Sequence, residues 1–248
     1  MMGLDDSGDS SVLQGRHFLV TGASSGIGLA IVHQLLHAGA MVSGLSRTQP
    51  ALDSGADFTH FACDFSRLGP LPAQLKQLRR QLPAPDGVIL SAGFGRFGAL
   101  EEFSAAQIRE MIDVNLTSQI MVVREWLPLL KRKKRGDIVI IGSEAALRGG
   151  QRGAVYSATK FALRGFAQAL REECAAANVR VTVINPGMVM TDFFAELDFR
   201  PSAQAGCHLL AEDVADTVSF VLQARQGSCL DEINLSPQKK VIDFGRRK

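Results

Sequence analysis

The sequence predicts an α/β fold: one domain built on a doubly wound parallel sheet with helices on both faces. Two observations carry this. Short, near-continuous apolar runs that end in small residues alternate with longer amphipathic stretches, and strands buried on both faces of a parallel sheet read as such runs. No repeat or low-complexity linker interrupts the alternation, so the amphipathic stretches are right-handed crossovers within one sheet. At 248 residues the chain is long enough to bury roughly three quarters of its unfolded surface without staples.

Residues 1–14 are acidic and polar, the opposite of a basic, apolar signal peptide. They are expected to form a frayed leader ahead of a single domain over 15–248. "HFLV" is the first strand and 26–38 the first helix; "MVSGL" follows as the second strand. A third strand ends before "ACDFS", and 70–82 is helical. "GVILSAG" is the next strand, 105–134 a long helix, "DIVIIGS" a strand, and 156–177 a helix. "VRVTVINPG" and a helix over 212–224 complete the alternation. The basic run "KRKKR" at 131–135 closes the long helix just before Gly136, where cations complement the helix dipole. It reads as a solvated helix terminus.

Composition excludes several function classes. Hydrophobic residues make up 46% and charged residues 21%, and the formal net charge is only +2. No strong attraction to nucleic acid or to a membrane surface follows from that balance. No apolar run approaches the length of a bilayer span. Cys63, Cys174, Cys207 and Cys229 are scattered, without a C-x-x-C or a neighbouring histidine cluster. They read as reduced thiols, which points to a cytoplasmic protein with neither a disulfide frame nor a metal site.

The stretch "FLVTGASSGIGLAIV" runs strand, tight turn, helix, with Gly22, Gly26 and Gly28 in the turn. Glycine admits positive φ and lets a phosphate approach bare backbone, whose N–H groups join the positive end of the following helix. After the first strand of such a sheet, that is the place for a dinucleotide. The second strand ends in Ser46 and Arg47, where an acid would grip the 2′-hydroxyl of NAD. A guanidinium there suits a 2′-phosphate instead, so NADP(H) is the expected cofactor. Asp64, after the third strand, can accept from the adenine amino group or cap a helix.

"AVYSATKFAL" holds the only tyrosine of the chain, Tyr156, with Lys160 four residues on. Positions i and i+4 share a helix face, and a nearby ammonium stabilises phenolate, pulling the phenol's pKa down toward the working range. Ser143 ends the strand "DIVIIGS". A strand's carboxyl end and the start of the next helix meet at one sheet edge, so Ser143 and Tyr156 can reach one carbonyl oxygen.

Together these motifs resemble the short-chain dehydrogenases/reductases of Rossmann type, and the likeness covers nearly everything from residue 15 to residue 236. "TGASSGIG" resembles the family's cofactor turn, "VNL" its middle motif, Ser143 and "YSATK" its catalytic residues, and "NPGMVMT" its segment after the sixth strand. The resemblance implies that Gly22, Ser24, Ser25, Gly26, Ile27 and Gly28 bind the cofactor. Ser46, Arg47, Asp64, Ala92, Gly93, Tyr156, Lys160, Pro186, Gly187 and Thr191 would join them. It also implies that Tyr156 passes a proton to a carbonyl, Ser143 stabilises its oxygen, and Lys160 lowers the tyrosine pKa and holds the nicotinamide ribose. Asn115 would hold a water linking Lys160 to solvent. One departure is Ser91-Ala92-Gly93, where the family shows Asn-Ala-Gly. The ending "DEINLSPQKKVIDF" resembles a reductase subgroup acting on hydroxy acids and small aldehydes.

The expected activity is reversible hydride transfer between nicotinamide and a small to medium carbonyl or secondary alcohol. The competing class is a non-catalytic NADP-binding sensor, which has no need of the four catalytic positions. Met188, Met190, Phe193, Phe194, Leu197, Phe94 and Phe97 suggest an apolar substrate pocket, whereas Arg96, Arg148 and Arg152 suggest a carboxylate. Ala158, Ala162, Gly165 and Ala169 form a smooth stripe on the 156–177 helix, where a second helix packs closely. By resemblance, that helix and the 105–134 helix join their symmetry mates in a homodimer or homotetramer.

Overall fold

In the computed structural model residues 12–52 and 57–245 are described. In chain order the main elements are β1 (His17–Thr21), α1 (Gly26–His37), β2 (Met41–Ser46), β3 (Phe58–Ala62), α2 (Leu71–Gln81) and β4 (Gly87–Leu90). There follow α3 (Ala105–Ile112), α4 (Ser118–Lys133), β5 (Gly136–Ile141), α5 (Ala154–Cys174) and β6 (Val179–Pro186). The chain ends with β7 (Phe199–Pro201), α6 (Ala211–Gln223), β8 (Glu232–Leu235) and β9 (Ile242–Phe244).

The first six strands and β8 pair in parallel in the order β3-β2-β1-β4-β5-β6-β8. The order reverses between β1 and β4, and their carboxyl ends open the crevice in which such sheets bind ligands. Two apolar layers sandwich the sheet. Leu71 and Leu75 of α2, Val122 and Trp126 of α4, and Leu163 and Ala167 of α5 pack on one face. Ile31 and Leu35 of α1 with Val214 and Val218 of α6 pack on the other. At the opposite strand ends Asp137 is clamped by Arg16 at 2.8 Å and Arg180 at 2.6 Å, which pins β1, β5 and β6 away from the crevice.

Several expectations change. The expected leader over 1–14 falls mostly outside the described residues, yet Leu13 is fully buried, so packing begins earlier than residue 15. The helix expected over 105–134 is interrupted by a π-turn at Asp113–Thr117, a device frequent at functional sites. The antiparallel ribbon of β7 and β9 was not foreseen. The "KRKKR" run behaves as a helix end: Lys131, Arg132 and Lys133 occupy the last turn of α4, Lys134 adopts left-handed φ, and Lys133 pairs with Asp86. The four cysteines are free thiols. Among the described residues, no helix is long and apolar enough to cross a membrane.

Candidate active site

The glycine turn links β1 to α1 at the crevice. Gly22 has φ +69°, and a Cβ there would lie 2.9 Å from the Ala92 backbone; at Gly28 a Cβ would overlap the Gly22 carbonyl oxygen. Only glycine lets these two backbones close on one another. Ser25 occupies the N-cap of α1 without a side-chain cap, so the first N–H groups of the helix remain available to an anion. Thr191, more than a hundred residues away, reaches over the same turn to within 3.5 Å of a Cβ built on Gly26.

Threonine 21 ties the turn to the next strand. Its hydroxyl accepts from the Ser91 and Ala92 amides at 3.1 Å each and donates to Gln119 at 3.0 Å. Thus the strand-to-strand tie comes from Thr21 and Gln119. Neither residue was singled out from the sequence.

Beside the carboxyl ends of β2 and β3 lies a cavity of about 470 Å³ lined by Arg47, Ala62, Cys63, Asp64, Arg67, Pro70 and Gln74. Asp64 is held below the usual carboxylate range chiefly by the Ser66 hydroxyl, with help from Arg47 and Arg67. Its Oδ1 accepts from Ser66 Oγ at 2.7 Å and from the Ser66 amide at 3.0 Å. Ser46 is buried, its hydroxyl donating to the Thr48 carbonyl at 2.8 Å, so it brings no acid to the cavity. A 2′-phosphate fits this lining, which holds two guanidinium groups.

At the carboxyl end of β5, Ser143 caps a short 3₁₀ turn, its Oγ accepting from the Ala145 amide at 3.1 Å. The single hydroxyl proton therefore stays available to an acceptor. Tyr156 sits in the first turn of α5 and is 8% exposed. Burial pushes its phenol up to about 12, opposed by a hydrogen bond with Ser143 and assisted by the nearby Glu144 carboxylate. Lys160 is 7% exposed, and burial pushes its ammonium down to about 8. Its Nζ donates to the Ile141 carbonyl at 3.1 Å and lies 5.8 Å from the Tyr156 ring centroid. The lowered phenol pKa expected from sequence is thus not found in the protein by itself, because desolvation outweighs a cation that does not touch the phenol.

Asn115, in the π-turn, accepts from the Phe94 amide and donates to the Phe94 carbonyl, both at 2.9 Å. It donates also to Thr159 Oγ1 at 3.3 Å. The side chain straps the Gly93–Phe94 loop to α5. Gly93 faces the site: a Cβ there would come 3.8 Å from Lys160 Nζ.

Phenylalanines cover the tyrosine. Ring centroids of Phe97 and Phe193 lie 5.2 Å and 5.9 Å from that of Tyr156, and Phe199 packs edge-on against Phe97 at 5.0 Å. Phe199 was not among the expected lining residues. Of the three expected cations, Arg96 faces Glu110 at 3.7 Å and Arg152 faces Glu102 at 3.9 Å, whereas Arg148 is exposed and forms no ion pair among the described residues.

Comparison with known proteins accords with this layout. The family model for short chain dehydrogenase matches residues 16–200. An uncharacterized oxidoreductase of Staphylococcus epidermidis is 30% identical over 88% of this chain and 96% of its own. A 3-dehydrosphinganine reductase of Arabidopsis thaliana is 35% identical over 75% of this chain and 59% of its own. Among solved structures, a metagenomic short-chain oxidoreductase in complex with NADP superposes with a TM-score of 0.76, 28% identity, and coverage of 92% of this chain and 100% of that one. The glycine turn, the serine after β5 and the tyrosine-lysine pair all lie within the matched span: this chain belongs to the short-chain dehydrogenase/reductase family of oxidoreductases.

Proposed function

We propose that the protein is an NADP(H)-dependent carbonyl reductase, reversible as an alcohol dehydrogenase, with Tyr156 as the general acid and base. The observation that carries this reading is the meeting of Ser143 and a buried, protonated Tyr156 beside Lys160, at the same sheet edge as the glycine turn. NADP bound to a related oxidoreductase and a reductase among the relatives support it.

Gly22, Ser24, Ser25, Gly26, Ile27 and Gly28 would hold the pyrophosphate against the start of α1. Arg47 would take the 2′-phosphate and Asp64 the adenine. Ala92, Gly93, Pro186, Gly187 and Thr191 would hold the nicotinamide, which would supply or accept the hydride when bound.

The chain's own residues handle the proton. With its phenol raised to about 12, Tyr156 enters reduction protonated, the form a donor to a carbonyl oxygen requires. Ser143 donates to the same oxygen as negative charge builds on it. Lys160 has donors left beyond the Ile141 carbonyl to hold the ribose hydroxyls, and its charge favours the phenolate left behind. Asn115 positions the Phe94 loop and would hold the water through which protons return.

The substrate is an apolar carbonyl compound. Phe97 and Phe193 pack on Tyr156, whereas Arg96 and Arg152 face carboxylates of the chain. A panel of neutral aldehydes and ketones beside matched hydroxy and keto acids, assayed with NADPH and NADP⁺, tests this. Turnover confined to the acids would overturn the substrate class. No turnover of any member would overturn the reductase.

A further inference from the structure

The last nine described residues do more than end the chain. Residues 237–245 run along the loop 198–206 and bond to it at both ends and between. The Gly245 amide donates to the Asp198 carbonyl at 2.8 Å, β9 pairs with β7 from Phe199 to Pro201, and the Ser202 amide donates to the Val241 carbonyl at 3.1 Å. The Lys239 amide donates to the Gly206 carbonyl at 2.8 Å. Nearby, Lys240 Nζ meets Glu144 Oε2 at 2.9 Å, and Glu144 follows the site serine directly in sequence.

The loop so held carries part of the wall over the tyrosine. Phe199 of β7 packs edge-on against Phe97, and Phe97 packs on Tyr156. Phe194 bridges Phe193 to Phe199. We propose that the tail over 237–245 is the positioning element that holds this loop closed over Tyr156, pinned by Lys240, so that substrate enters only when the tail lets go.

The attachment suits release. Ile242 and Phe244 are 43% and 76% exposed, so backbone hydrogen bonds hold β9 rather than apolar burial. An isolated two-stranded ribbon is marginal in water, and an exposed ion pair adds little. Elements with few buried contacts and exposed hydrogen bonds open most readily. By contrast, the loop's anchor at Ser202 is buried and bonded to His208 at 2.8 Å, so freeing the tail leaves the loop's base in place.

The sole tyrosine gives a readout that needs no substrate. Its cover excludes water, and burial is the leading cause of its raised pKa. The full chain, a chain ending at Pro237 and the Lys240→Glu variant are titrated by phenolate absorbance between about pH 9 and 12. Both variants are expected to ionise about one unit or more below the full chain, toward about 10, while Lys240→Arg titrates like the full chain. Superimposable curves for the full chain, the truncated chain and Lys240→Glu would overturn the proposal.

The role in substrate entry rests on the reductase reading and is read separately. With a carbonyl that the full chain reduces, both variants should lower its KM about tenfold, because the open form that admits substrate becomes the populated one, while binding NADPH with unchanged Kd. An unchanged or raised KM would also overturn the proposal. If the full chain reduces no carbonyl, the reductase reading falls and the tyrosine titration alone decides for or against the tail.

Discussion

Lys160 and Tyr156 share a helix face, yet the Lys160 ammonium bonds the Ile141 carbonyl at 3.1 Å and stands 5.8 Å from the tyrosine ring centroid. Each group is driven toward its neutral form by burial, the phenol up to about 12 and the ammonium down to about 8. The phenol is therefore protonated at neutral pH.

Replacing Tyr156 by phenylalanine removes only a hydroxyl in a buried site. Turnover should fall by about 10²-fold or more, the usual worth of general acid catalysis, with NADPH affinity retained. Steady-state rates and cofactor titration check it; a variant keeping more than about a tenth of the rate would rule out the proton-donor role.

The buried ammonium makes stability depend on pH. Its folded pKa of about 8 lies below the free ammonium's 10.5, so stability is fullest above about 10.5, falls as pH drops toward 8, and stays reduced below that. Lys160→Met should therefore gain more at pH 7 than at pH 10, by roughly 2 kcal/mol on the linkage relation. Denaturant unfolding of both proteins at both pH values checks it; an equal difference at the two pH values would contradict the assignment.

Cofactor choice follows from Arg47 and from the absence of an acid at Ser46. NADPH should bind more tightly than NADH, and Arg47→Ala or Ser46→Asp should narrow or reverse the preference. Fluorescence titration with both cofactors measures it. Equal dissociation constants in the unmutated protein would refute the reading.

Thr21 accepts from two backbone amides and donates to Gln119 inside the fold. Thr21→Val leaves those buried groups without a partner and should cost about 2–3 kcal/mol. Ser91→Asn should change stability by less than about 0.5 kcal/mol, because the strand tie does not pass through that side chain. Urea unfolding of both variants separates the two; a large effect at residue 91 would overturn the account.

The stripe on α5 makes its own prediction. Ala158, Ala162, Gly165 and Ala169 are exposed, while Leu163, Ala167 and Leu170 face the sheet. The small residues therefore do not serve close packing on the chain's own sheet. Phe161 beside them is 43% exposed. A self-complementary patch of this kind is expected to be covered by a second copy in a two-fold assembly. Light scattering at micromolar concentration should give a multiple of 26.7 kDa, and a mass of one chain would overturn it.

Much of this protein was legible in its sequence because local chemistry repeats along the chain. Strands buried on both faces must be apolar throughout, a phosphate-binding turn must lack side chains, and a tyrosine and lysine one turn apart must share a helix face. Those constraints act within a few residues, so β1 to β6, the glycine turn and Tyr156–Lys160 could be read directly. The third dimension decided what depends on residues far apart. The π-turn that carries Asn115 adds no signal to a helical period. The strand tie runs from Thr21 to Gln119, and the tail beyond β8 folds back on the loop at 198–206 through backbone hydrogen bonds that any side chain permits. The phenol's pKa was decided there too, because burial is a property of the whole packed chain, whereas the i, i+4 spacing reports only the neighbour.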